Sequence, residues 1–288
     1  MNKLQSVALA AVTAALVSLA VLWQHGGAPA SPAAPTTSVY QSVVNRGTLR
    51  CGYVNWKPYY YVDLKDGNQQ ASGLNYDIMV ELGKVLDLKI EWVEEVGWGN
   101  IGAGFATRRY DAVCTSMWPD PGKFKNLSLS RPIFFSAPRL YARQDDVRFD
   151  GNIARVNQPD VKIAVIDGSA LFPLAKEVFP NAKFVALPQL TQDAEYFMTV
   201  TTGKADIALL DPDEIKGFLA ANPGQLRPIA DIPPLRVLPH FLAFPPNEPQ
   251  FSAMMNGGLQ VLIDNGVMDT VRKKYDTSHL VPAVGYQP

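Results

Sequence analysis

The stretch TSMWPDPGK, Thr115 to Lys123, places two hydroxyls, an indole and an ammonium group directly behind the apolar run YDAVC. Hydroxyls and a lysine in that arrangement receive the anionic or polar end of a small ligand, and Trp118 narrows the pocket and adds a face for stacking. Comparable groups close the other apolar runs: Tyr53, Asn55, Trp56 and Tyr59 after the first, Trp98 after the second, and Ser169 and Asp211 further along. Aromatic faces hold cations or flat ligands. A carboxylate such as Asp211 binds an ammonium group directly, and the turn Asp167–Gly168–Ser169 can offer backbone N–H groups to an anion. Ordinary alternatives stand beside each of these. Pro119 and Pro121 force a surface turn, Lys123 is a solvated surface lysine, Tyr60 and Tyr61 pack, and Asp211 ahead of Pro212 caps the helix DEIKGFLAAN. The repetition at several strand ends is what points to one binding cleft.

Catalytic patterns are sparse. The three histidines, His25, His240 and His279, form no H-x-x-x-H metal motif, and there is neither a G-x-S-x-G elbow nor a P-loop. His240, in LPHFLAF, reads as a structural hydrogen-bonding group. A cleft carboxylate or lysine keeps the capacity for acid–base work, so an enzyme is disfavoured without being excluded. Nothing calls for a cofactor or metal ion.

The elements that must position these groups follow from the pattern. Strand (TLRCGYV), helix (NYDIMVELGKVL), strand (KIEWVEEV), helix (WGNIGAGFATRR) and strand (DAVCTSM) alternate, which predicts parallel pairing with crossover helices. Ile78, Leu82, Val85 and Leu86 recur at helical spacing as core, with Asn75 placed to cap that helix. A second α/β series runs from VKIAVID through KFVAL to ADIALLD, and FSAMMNGGLQVLIDNG and VMDTVRKKYD read as closing helices. Two mostly parallel lobes, joined by extended apolar segments SAPRLYAR and PLRVLPHFLAF, enclose a cleft at the carboxyl ends of their strands.

Composition bounds the rest. A chain of 288 residues that is 47% hydrophobic supports real cores, and a formal net charge of −1 without a basic run excludes nucleic acid as a partner. Residues 1–30 form an export segment, with the apolar run Val7–Trp23 followed by GGAPAS; cleavage as a signal peptide and retention as a membrane anchor both stay open. Residues 31–38 read as a linker. Export favours pairing of Cys51 with Cys114 in an oxidising compartment, while their apolar surroundings equally suit two small core residues.

From about Val39 onward the chain resembles the extracellular solute-binding proteins of family 3, which serve amino acid uptake by ABC transporters. RGTLRCGY is similar to that family's first strand, GLNYDIMVELGKVL to its signature helix, RYDAVCTSM to its third strand, GKADIALLD to the second-lobe strand, and DNGVMDTVRKKYD to its closing segment. The resemblance implies a two-lobed α/β fold, the periplasmic binding protein type II fold, with residues 39–137 and 239–288 in one lobe, 138–238 in the other, and two crossing hinge strands. It implies that Trp56 stacks on the ligand, that Thr115 and Ser116 hold its carboxylate, that Ser169 donates from the second lobe and that Asp211 accepts the α-ammonium. Lys123 falls where the family usually places a carboxylate-clamping arginine; lysine keeps the charge and loses the fork.

The expectation is a non-catalytic, monomeric periplasmic protein that closes on an amino acid or related amine or carboxylate and delivers it to an ABC-type permease. The ligand set is Trp56, Tyr59, Trp98, Thr115, Ser116, Trp118, Lys123, Ser169 and Asp211. A dehydratase on the same fold and an accessory or sensory binding protein are the alternatives.

Overall fold

The computed structural model describes residues 37–65 and 68–283, so the export segment and most of the linker lie outside the described residues. The strands are β1 Thr48–Tyr53, β2 Tyr61–Lys65, β3 Asn68–Ser72, β4 Lys89–Glu95, β5 Ala112–Met117, β6 Ser128–Leu129 and β7 Phe134–Ser136. They continue as β8 Arg139–Arg143, β9 Lys162–Ile166, β10 Lys183–Leu187, β11 Ile207–Leu210, β12 Leu226–Pro228, β13 Leu238–Phe244 and β14 Val281–Pro282. One seven-stranded sheet runs β14-β7-β13-β5-β1-β4 with β6 beside β13; a five-stranded sheet runs β10-β9-β11-β8-β12; β2 and β3 form a hairpin.

Pairing is parallel within β4-β1-β5 and β10-β9-β11, where strands alternate with helices. It turns antiparallel where β13 joins β5 and where β8 joins β11, because these strands carry the chain between the two sheets. The mostly parallel expectation therefore describes the βαβ part of each lobe. β5 is buried at every position, as a central strand covered on both faces requires.

Packing refines the sequence reading of the helix Leu74–Leu86. Ile78 and Leu82 are fully buried, and Leu82 and Leu86 pack against Gly258 of the helix Pro249–Asp264, where an added Cβ would meet them at 2.6 and 3.0 Å. Val85, 41% exposed, lies at the edge of the stripe in the last turn and is not core. Asn75 is not the cap either. Gly73 holds that position, and the fully buried Asn75 turns inward to accept from Ser116.

Cys51 of β1 and Cys114 of β5 are disulfide-bonded, with Cα atoms 5.5 Å apart. Nearby, Asp111 leads into β5 and accepts from the Arg50 guanidinium at 2.9 Å and from the Arg46 guanidinium. Both ties join the first lobe's central strands at their base.

Candidate binding cleft

A cleft opens between the two lobes, lined on one side by Asn55, Trp56, Trp98 and Trp118 and on the other by Ser169, Gln189, Asp193, Tyr196 and Glu214. The loop after β1 holds the first wall. Trp56 and Tyr60 exchange backbone hydrogen bonds of 2.7 and 2.9 Å around a cis Lys57–Pro58 peptide, which turns the Trp56 and Tyr59 rings onto each other at 4.0 Å. Trp98 and Trp118 meet Trp56 edge-on at 5.7 and 5.1 Å. Three indoles thus form one corner with faces and edges both available.

Behind this wall lies a buried polar network. The Trp118 indole N–H donates to His240 Nε2 at 3.0 Å and to Ser136 Oγ at 3.1 Å. An indole only donates, so Nε2 must be the accepting nitrogen and Nδ1 carries the proton. That proton faces Ser116 Oγ at 3.3 Å, and Ser116 Oγ in turn donates to Asn75 Oδ1 at 3.1 Å. Burial holds His240 neutral, with its pKa pushed down to about 3. It is a structural group.

The opposite wall is acidic. Asp211 caps the helix Pro212–Ala221 by accepting from the Asp213 N–H at 2.9 Å, and burial raises its carboxyl to about 6. Ser136 and the buried Tyr59 hydroxyl lie close enough to the Asp211 carboxyl to favour its charged form, without outweighing burial. One turn along the same helix, Glu214 lines the cleft beside Asp193. Burial, then repulsion from Asp193, pushes the Glu214 carboxyl well above its ordinary range. Desolvation raises Asp193 to about 6, even with the Lys57 N–H donating to it at 3.3 Å.

The lobes touch around this space. Lys123 Nζ donates to the Gly168 carbonyl, Gln189 Oε1 accepts from the Gly99 N–H at 2.8 Å, and His279 meets Asp213 at 3.0 Å. Gly168, at φ +73°, lies so near the other lobe that a Cβ there would sit 2.5 Å from the Gly99 nitrogen. Only a glycine lets the two backbones approach this closely.

The sequence matches the model of bacterial extracellular solute-binding proteins, family 3, over residues 49–278. The chain belongs to this family. Among solved structures, the solute-binding protein shares 26% identity with an ancestral amino acid-binding protein, AncCDT-1, a precursor of cyclohexadienyl dehydratase; the TM-score is 0.71, covering 83% of this chain and 99% of that one. It also matches the amino acid ABC transporter substrate-binding protein AbpA from Streptococcus pneumoniae bound to L-arginine, at 17% identity and TM-score 0.71, over 82% and 97% of the two chains. An ancestral arginine-binding protein bound to arginine follows at 19% identity and TM-score 0.67, over 80% and 98%. These last two likenesses establish the fold.

Of the residues singled out in sequence, this solute-binding protein brings Trp56, Trp98, Trp118 and Ser169 to the cleft lining. Tyr59 stands behind Trp56, fully buried. Thr115 and Ser116 are interior residues of β5, because the strand runs on through Met117. The Thr115 hydroxyl accepts from the Val54 N–H at 3.0 Å and faces the Val54 carbonyl at 3.2 Å, so both of its valences join β5 to the chain after β1. Lys123 is not a solvated lysine: it bonds across to Gly168 and pairs with Asp120 at 3.3 Å. In the turn at Gly168 the N–H groups of Asp167 and Ser169 already donate to Leu187 and Ile166 carbonyls at 2.9 and 3.1 Å, which removes two of its three N–H groups as anion donors. Sequence reasoning missed Asp193, Glu214, Gln189 and Tyr196. Glu214 was within reach, one turn past the aspartate that caps its own helix.

Proposed function

We propose that this protein captures a small polar ligand between its lobes by hinge closure and presents it to an ABC-type membrane permease, with no chemistry of its own. The carrying observation is a cleft walled by both lobes and ringed by direct bonds between them, since such contacts exist only when the lobes are together. In this reading residues 39–137 and 239–288 move against residues 138–238. Trp56, Trp98, Trp118 and Ser169 touch the ligand, together with Asp193 and Glu214, while Asp211, Tyr59, Thr115, Ser116 and Lys123 hold the walls and the closed state. The protein acts as a monomer in the periplasm, exported by residues 1–30 and either released or tethered there through 31–38.

Small-angle scattering tests closure. Saturating ligand, chosen by thermal shift across amino acids, amines, carboxylates and sugars, contracts the protein, and reconstitution with the permease in liposomes makes ATP hydrolysis depend on it. A ligand that binds without contraction removes the hinge mechanism.

A dehydratase is the second reading, and one observation favours it. Glu214 holds a proton above the usual carboxylate range inside an aromatic cleft, which is the state a general acid needs. Product formed from a cyclic hydroxylated precursor, and lost in Glu214→Gln, would establish it over capture.

A further inference from the structure

The walls of the cleft are unequal in charge. Among the described residues that line it are the carboxylates of Glu95, Asp193 and Glu214 and no lysine, arginine or histidine. Glu214 is only 9% exposed, with the Trp56 indole near its carboxylate and, among the described residues, no cation bonded to it. A buried carboxylate without a positive partner is costly, and a ligand that supplies the charge relieves the cost on binding.

Apart from Ser169, which lines the cleft, the first-lobe groups expected to hold a ligand carboxylate are engaged elsewhere. The Lys123 ammonium is bound to the Gly168 carbonyl and to Asp120, and it faces a separate hollow beside Gly99 and Asn126. The hydroxyls of Thr115 and Ser116 are fully buried and bonded within the first lobe. A carboxylate entering the cleft would therefore meet Asp193 and Glu214 on one wall and Glu95 on the other, whereas an ammonium or guanidinium would meet those carboxylates and the indole faces.

We propose that the cleft takes an organic cation that carries no carboxylate, an amine or guanidine with an apolar stem, its charge between Glu214 and Asp193 and its stem against Trp56, Trp98 and Trp118. This rests on the capture reading above. It separates the protein from relatives whose bound ligand is a whole amino acid, such as AbpA with L-arginine. The raised pKa values of Asp193 and Glu214 describe the same feature, two acids held close, with burial outweighing the attraction of Lys57 for Asp193.

Calorimetric titration of the full-length protein, unfolded and refolded to strip carried-over ligand, compares four matched pairs: agmatine with arginine, cadaverine with lysine, phenethylamine with phenylalanine, and choline with glycine betaine. At least one cation is expected to bind tenfold or more tightly than its carboxylated counterpart, and Glu214→Gln is expected to weaken it at least tenfold while melting at or above the parent temperature. An amino acid that binds as tightly as its decarboxylated partner, or cation binding untouched by Glu214→Gln, overturns the inference and leaves capture standing. Silence across all four pairs overturns the inference, and silence toward neutral sugars as well takes the capture reading with it.

Discussion

Two aspartates flank fully buried strands in this protein, one in each lobe, and their surroundings differ. Asp111, 2% exposed, precedes β5; Asp211, 0% exposed, follows β11. Arg46 and Arg50 converge on Asp111, and the Arg50 backbone N–H adds a hydrogen bond of 2.9 Å. Asp211 has one backbone donor, the hydroxyls of Ser136 and Tyr59 in place of arginines, and further acids, Asp213 and Glu214, close by in the chain. A buried charge compensated by the protein's own arginines is structural. Asp211, at the carboxyl end of a strand, where α/β sheets bind ligands, has no arginine among the described residues to compensate it.

That contrast can be broken or sharpened by experiment. The largest effect is expected at the paired end: replacing Cys51 and Cys114 together by alanine removes the covalent tie between β1 and β5 across 63 residues and costs about 4 kcal/mol in urea unfolding. Asp111→Ala, which strands two arginines at the same base, costs about 3 kcal/mol in that assay. A loss below about 1 kcal/mol would make Asp111 no better placed than Asp211.

At the cleft the sign reverses. Asp211→Asn keeps the cap and removes the ionisable group, so the unliganded variant is more stable than the parent by up to about 3 kcal/mol above pH 6. The folded protein holds the Asp211 proton more tightly than the unfolded chain does; that stabilisation is complete below the ordinary carboxylate range and is lost as pH rises to about 6. The advantage of asparagine therefore vanishes by about pH 4. Taking the difference between variant and parent cancels His240, whose depressed pKa of about 3 works the other way as pH falls below 6.5. Parallel pH profiles for the two proteins would mean Asp211 is not a strained acid.

The smallest effect distinguishes latch from clamp. Lys123→Ala removes a lobe-to-lobe hydrogen bond worth about 1 kcal/mol, so affinities for a cation and for its carboxylated partner fall together, by less than about tenfold. A selective loss for the carboxylated partner would restore Lys123 as an anion clamp.

Much of this was legible in the chain. Alternating apolar runs and helical stripes dictated a two-lobed α/β fold, because a half-buried strand or helix shows its period locally, and the end of each run marked where cleft groups gather. Trp56, Trp98, Trp118 and Ser169 were found that way. What each hydroxyl, lysine or carboxylate touches was settled only when distant segments met. Thr115 found Val54, Ser116 found Asn75 and His240, Lys123 found Gly168 in the other lobe, and Glu214 came to face Asp193, 21 residues earlier in the chain. Hydrophobic periodicity is a property of neighbours in sequence, while satisfaction of a buried polar group depends on partners that only the tertiary fold supplies.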